Sequence, residues 1–176
     1  MWVGLRDDVE PERFLEWIRV QDVEALLGSL NRVVVRAGDL VYVPAGVPHA
    51  LGAGLLIAEV QEPTDFSLLC EWRDFPIDPE DSHLGLGWDE AVRALDLRAQ
   101  SPILSLPPES HAFFEVDERA EASGRFAVLL VVEGQGAIDG NPAGLGDALA
   151  IPAASRELYV EGQLGVLRFL APDPAA

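Results

Sequence analysis

The dipeptide Gly-Asp, followed after four residues by Pro-Ala, occurs twice in this chain. Gly38-Asp39 leads to Pro44-Ala45, and Gly146-Asp147 leads to Pro152-Ala153. Apolar residues fill both intervals, so each copy reads as a turn, a short strand and a second turn. Reuse of one spacing predicts one supersecondary unit used twice, hence two related β-barrel units in tandem. A chain of 176 residues is long enough to bury a core in either one domain or two.

The two copies differ in what precedes and follows the turns. Five residues past the proline stands His49 in the first copy and Glu157 in the second. The second copy is preceded by two strand-like runs, Phe113 to Glu118 and Phe126 to Val132. The first is preceded only by Trp2 to Leu5 and two predicted helices, Pro11 to Ile18 and Asp22 to Leu27. The first barrel is therefore expected to be incomplete, with Trp2 to Leu5 the tail of a strand that begins before Met1. Further strands are expected at Val33 to Val35, within Leu40 to Val43, at Leu55 to Gln61 and at Asp65 to Trp72. The second unit is expected to be a series of short strands separated at its Gly, Asn and Pro residues. The expected division is 1–74, a linker over 75–100 with a helix at Trp88 to Leu97, and 101–176.

Charge excludes several functions. The net charge is −18 and the pI near 4.3, which argues against a nucleic-acid or anionic-membrane partner. All twelve basic residues are arginine, so the chain offers no lysine for Schiff-base or acid–base chemistry. Cys70 is the one cysteine; it rules out a disulfide framework and reads as a small buried apolar residue in a reducing compartment. No apolar run approaches the roughly 18 residues of a membrane span, and no signal peptide is visible, so a soluble cytoplasmic protein is expected.

The run from Gly38 to Leu51 delivers an imidazole, His49, at the end of a strand and turn. Leu55 to Gln61 sets a carboxylate, Glu59, among Leu56, Ile57 and Val60. A histidine and an acid on neighbouring strands of a small barrel make a metal or proton-transfer site. Set against this, His49 also reads as a turn histidine, Glu59 as an outward edge-strand residue, and Asp65, after Pro63-Thr64, as a turn cap.

Gly38-Asp39, Pro44-Ala45-Gly46-Val47-Pro48-His49-Ala50, Glu59-Val60-Gln61 and Asp65 resemble the type I mannose-6-phosphate isomerases, zinc enzymes of tandem cupin (jelly-roll) barrels. The helical segment before them and the barrel ending Val166-Leu167-Arg168-Phe169 also look like that family's C-terminal portion. The resemblance implies an all-β fold, tandem cupin barrels with the first incomplete, and short N-terminal and linker helices. It implies that His49 is one zinc ligand, the other three coming from strands upstream of this chain, which alone would then be inactive. It also implies Glu59 as the group that moves or relays a proton between C1 and C2 of a sugar, through an enediol, with Asp65 orienting a ligand or hydroxyl.

One departure concerns the phosphate. The family's arginine four positions after the Asp is Leu69 here, and Arg73 lies four residues further, about 13 Å along an extended chain. Arg73 is thus a substitute substrate anchor at best, and the bidentate donor for a sugar phosphate is displaced. A non-catalytic cupin that binds sugar or a protein partner is the rival reading. The missing upstream half, or a second copy of the chain, is the expected partner that completes the first barrel.

Overall fold

The computed structural model describes residues 1–61 and 66–172, without the side chains of Glu109 and His111. The chain forms two compact units, Met1–Leu106 and Pro107–Ala176. Antiparallel sheets carry both, with few helices. No described helix is long and apolar enough to cross a membrane.

In the first unit, β1 (Trp2–Leu5) lies between β2 (Leu30–Arg32) and β3 (His49–Ala50), antiparallel to both. Helix α1 (Pro11–Val20) starts on a proline, whose missing N–H costs nothing there. It turns Phe14, Leu15 and Ile18 inward and stops at Gln21, which adopts a left-handed φ of 55°. Helix α2 (Val23–Ser29) follows at once, its first turn capped by the Asp22 carboxylate on the Ala25 amide. Asn31 holds the sheet from one side: its amide donates to the carbonyls of Gly4, at 2.9 Å, and Gln100, at 2.7 Å.

The segment expected as a linker belongs to this unit's core. Helix α3 (Trp88–Ala91) and the residues after it contribute Trp88, Ala91, Val92 and Leu97, which pack with Leu5, Phe14, Ile18 and Leu26. Trp72 stacks on Trp88 with ring centroids 5.8 Å apart. Helices therefore supply as much of this core as strands do.

Four expected strands fare differently. Residues 33–35 and 55–61 make no ladder, and between 40 and 43 only Tyr42 bridges a partner, Ile103. The described part of 65–72 is not strand either. The physical reason is punctuation and lack of neighbours. Gly38, Gly46 and Gly54 all take positive φ, cutting the runs short, and no described strand lies beside Leu55, Leu56 and Ile57. Leu56 is 79% exposed.

The second unit is organised on β5 (Ala127–Ile138). It pairs along its whole length with β8 (Val160–Leu170), and on its other edge with β6 (Asn141–Gly144) and β7 (Ala148–Ile151). Strand β4 (Glu115–Asp117) adds to the far side of β8. Ala127, Leu129 and Val131 face the core; the register then slips at Val132 and the buried parity changes, so that Ile138 faces inward.

The expected short strands are fused here into two long ones. Gly134 and Gly162, which read as turns, and Gly136, expected to open a short strand, lie within β5 and β8. They are small because the backbones meet: a Cβ on Gly136 would overlap the Glu161 carbonyl oxygen, and one on Gly134 that of Gln163. Gly136 has no left-handed φ, so its requirement is steric. Gly136→Ala should cost about 1–3 kcal/mol in urea unfolding. Gly144→Ala, where an added methyl meets open space, should change stability by well under 1 kcal/mol.

Candidate functional site

The repeated turns have the same hydrogen bonds in both units. The Asp39 carboxylate accepts from the Arg36 amide at 2.7 Å, and the Asp147 carboxylate from the Gly144 amide at 2.8 Å. The Asp39 amide donates to the Arg36 carbonyl at 3.0 Å, and the Asp147 amide to that of Gly144 at 2.9 Å. Gly38 and Gly146 take φ of 90° and 89°. The second turn repeats too: Val47 donates to the Pro44 carbonyl, and Ser155 to that of Pro152. Each Gly-Asp turn borders a shallow cleft, of about 260 Å³ beside Asp39 and about 510 Å³ beside Asp147.

His49 follows the second turn of the first unit and opens β3, where it faces Val3 of β1 across the ladder. Its residue is exposed. Nδ1 lies 3.0 Å from the Val47 carbonyl. A carbonyl only accepts, so Nδ1 carries a proton, and in the neutral ring Nε2 keeps its lone pair. That leaves the outer nitrogen as a base or ligand.

Among the described residues, neither Glu59 nor Arg73 makes a contact with His49. Glu59 is exposed, so the apolar surroundings expected for its carboxylate are absent. Asp65 lies outside the described residues. Arg73 is exposed, and its guanidinium donates to the Val20 carbonyl at the C-terminus of α1. A cation there satisfies an orphan helix carbonyl and favours the negative end of the helix dipole. Arg73 thus has a structural partner.

No family model matches the chain. Mannose-6-phosphate isomerase ManA of Bacillus subtilis is 29% identical, covering 76% of this chain and 49% of its own length. The mannose-6-phosphate isomerase of Streptococcus mutans is 47% identical over 36 residues. Among solved structures, a protein of Archaeoglobus fulgidus described provisionally as a mannosephosphate isomerase superposes with a TM-score of 0.65 at 17% identity, over 98% of this chain and 57% of its own. The crystal structure of the Bacillus subtilis mannose 6-phosphate isomerase superposes with a TM-score of 0.57 at 20% identity, over 96% and 59%. Over about three-quarters of its length the chain is similar in sequence to a mannose-6-phosphate isomerase. It spans about half the length of the Bacillus subtilis relative, and the structural likeness extends over nearly all of it.

Zinc does not fit the described residues by themselves. A catalytic zinc takes three protein ligands and a structural one four. Among the described residues no three His, Cys, Asp or Glu side chains converge. His83, buried against Trp88, accepts from the Gly87 amide through Nδ1 at 3.1 Å and is committed to that loop. Cys70 is half-buried, and desolvation pushes its thiol up to about 12, away from the nucleophilic thiolate.

Sequence reasoning missed Gln21. Its side chain is 7% exposed. Nε2 donates to the carbonyls of Ile18, at 2.7 Å, and Cys70, at 3.0 Å, while Oε1 accepts from the amides of Trp72, at 2.8 Å, and Arg73, at 3.1 Å. One amide thereby fastens 70–73 to the end of α1. The only hint in the sequence was a polar residue directly between two helices.

Proposed function

We propose that this chain supplies one histidine-bearing wall of an aldose–ketose isomerase site, in a tandem cupin scaffold whose first barrel is completed by another polypeptide segment. The observation that carries this reading is His49, set behind the repeated turn with Nδ1 against the Val47 carbonyl and no partner of Nε2 among the described residues, in a chain similar to a mannose-6-phosphate isomerase. The reaction moves one proton between carbons. A base carries the carbon-bound proton from C2 of the open-chain aldose to C1 through an enediol, while the C1 carbonyl oxygen gains a proton and the C2 hydroxyl oxygen gives one up, leaving a ketone at C2. Glu59 is the proton carrier in this reading and Asp65 orients a hydroxyl. The substrate is a sugar or a sugar phosphate, as in the conversion of mannose 6-phosphate to fructose 6-phosphate, and the reaction takes place in the cytoplasm. No step is assigned to zinc, because His49 alone does not hold it.

A second reading is a non-catalytic cupin module that binds sugar or another protein. It is favoured by the engagement of Arg73 with Val20 and by the absence of a ligand cluster among the described residues. One experiment separates the two. Zinc is measured by elemental mass spectrometry in the purified chain, alone and co-expressed with a polypeptide matching the half of the Bacillus subtilis relative that this chain does not cover. Zinc near one equivalent, with isomerisation of mannose 6-phosphate, is expected only in the mixture. No metal and no turnover in either sample would establish the module.

A further inference from the structure

The second turns of the two repeats differ in backbone conformation at their third position. In Pro44-Ala45-Gly46-Val47 the third residue is Gly46, with φ of 78°. In Pro152-Ala153-Ala154-Ser155 the third residue is Ala154, which is not left-handed. Both turns keep the bond from the fourth amide to the first carbonyl. A positive φ at the third position is what a type II turn demands, and it flips the central peptide relative to a type I turn.

The flipped turn rests on a platform. The Gly46 carbonyl accepts from the Asp96 amide at 2.8 Å, and a Cβ on Gly46 would stand 2.6 Å from the Ala94 carbonyl oxygen. Val47 is buried directly after it, and the Val47 carbonyl is the group that faces His49 Nδ1. An unbroken path therefore runs from the Ala94–Asp96 backbone through Gly46 and Val47 to the imidazole.

We propose that Gly46, seated on the Ala94–Asp96 backbone, is a positioning residue that fixes His49 in the Nδ1–H tautomer and presents Nε2 outward. This rests on the role given to His49 above, and it deepens that reading by naming what sets the nitrogen. The second unit, with Ala154 and Glu157, lacks both the flipped turn and the ring it would orient.

The test is the tautomer itself, read from imidazole ¹⁵N shifts in the full chain at a pH where the ring is neutral. Wild type should show the Nδ1–H form predominating. In Gly46→Ala the population ratio should shift several-fold toward Nε2–H, whereas Gly28→Ala, where an added methyl meets open space, should leave it unchanged. Asp96→Pro is the second variant. It removes the amide donor, and Leu95 is already extended with ψ of 137°, as a residue before proline must be. The same shift is expected there. A wild-type ring in the Nε2–H form, or a folded variant of either kind that keeps the wild-type ratio, would overturn the proposal. Loss of bulk stability alone does not move the ratio in a folded chain. The zinc measurement can fail without touching this result, and the reverse also holds.

Discussion

Arg168→Met should destabilise the second unit by about 3 kcal/mol at neutral pH, measured by chemical unfolding. Arg168 is 3% exposed, on the core-facing side of β8 between Val166 and Leu170. It meets Asp117 of β4 in a forked pair, Nε to Oδ1 at 2.9 Å and Nη2 to Oδ2 at 2.5 Å, and donates from Nη1 to the Glu121 carbonyl at 2.9 Å. Methionine fills the volume but leaves a partly buried carboxylate and a carbonyl without their donor, which is the expensive way to break such a pair.

The same pair predicts how the loss varies with pH. Burial alone would raise the Asp117 pKa, but the hydrogen bonds of Arg168 and of the Arg119 amide, with the charge of both arginines, outweigh it and hold the carboxyl below its ordinary value. A carboxyl depressed in the folded state adds stability above its unfolded pKa, near 4, and loses it as the pH falls through the lower folded value. The gap between wild type and Arg168→Met should therefore be widest above pH 5 and should narrow steadily below pH 4. A gap that stayed constant down to pH 2 would mean that the arginine stabilises by packing alone.

Gln21→Ala should be comparably damaging, at about 3–5 kcal/mol. It strands the Cys70 carbonyl and the Trp72 and Arg73 amides at a part-buried site, and each such group costs about 1–3 kcal/mol where water cannot replace the lost bond. Gln21→Gly loses the same bonds but relieves the left-handed backbone, so it should be less damaging by about 1 kcal/mol. Tryptophan fluorescence reports the event directly, since Trp72 stacks on Trp88. A Gln21→Ala protein with wild-type stability and emission would show that 70–73 is held by other contacts.

What could be read from the sequence was the local chemistry. The Gly-Asp turns close on their own carboxylates within four residues, so their spacing alone disclosed the repeat, and Pro11 and Asp22 marked the helix starts for the same reason. What could not be read depends on partners far along the chain. Gln21 and Asn31 look like ordinary surface amides until residues 70–73 and 100 arrive. Gly134 and Gly162 have the composition of turns, and only the approach of β8 to β5 makes them strand residues. Leu55-Leu56-Ile57 has the composition of a buried strand, but a pattern says what a segment would suit and cannot supply the neighbour that pairs with it. His49 was placed by its motif, whereas its ring proton follows from a carbonyl two residues back.

The way β5 is shared has a consequence for how the second unit comes apart. Strands β6, β7 and β8 each hydrogen-bond to it and, among the described pairings, not to one another; β4 holds only to β8. Peeling β6 or β7 away leaves the β5–β8 ladder standing, but loss of β5 leaves only the short β4–β8 pair. The unit is wired like a hub with spokes, so melting of that single strand and collapse of the whole sheet are the same event.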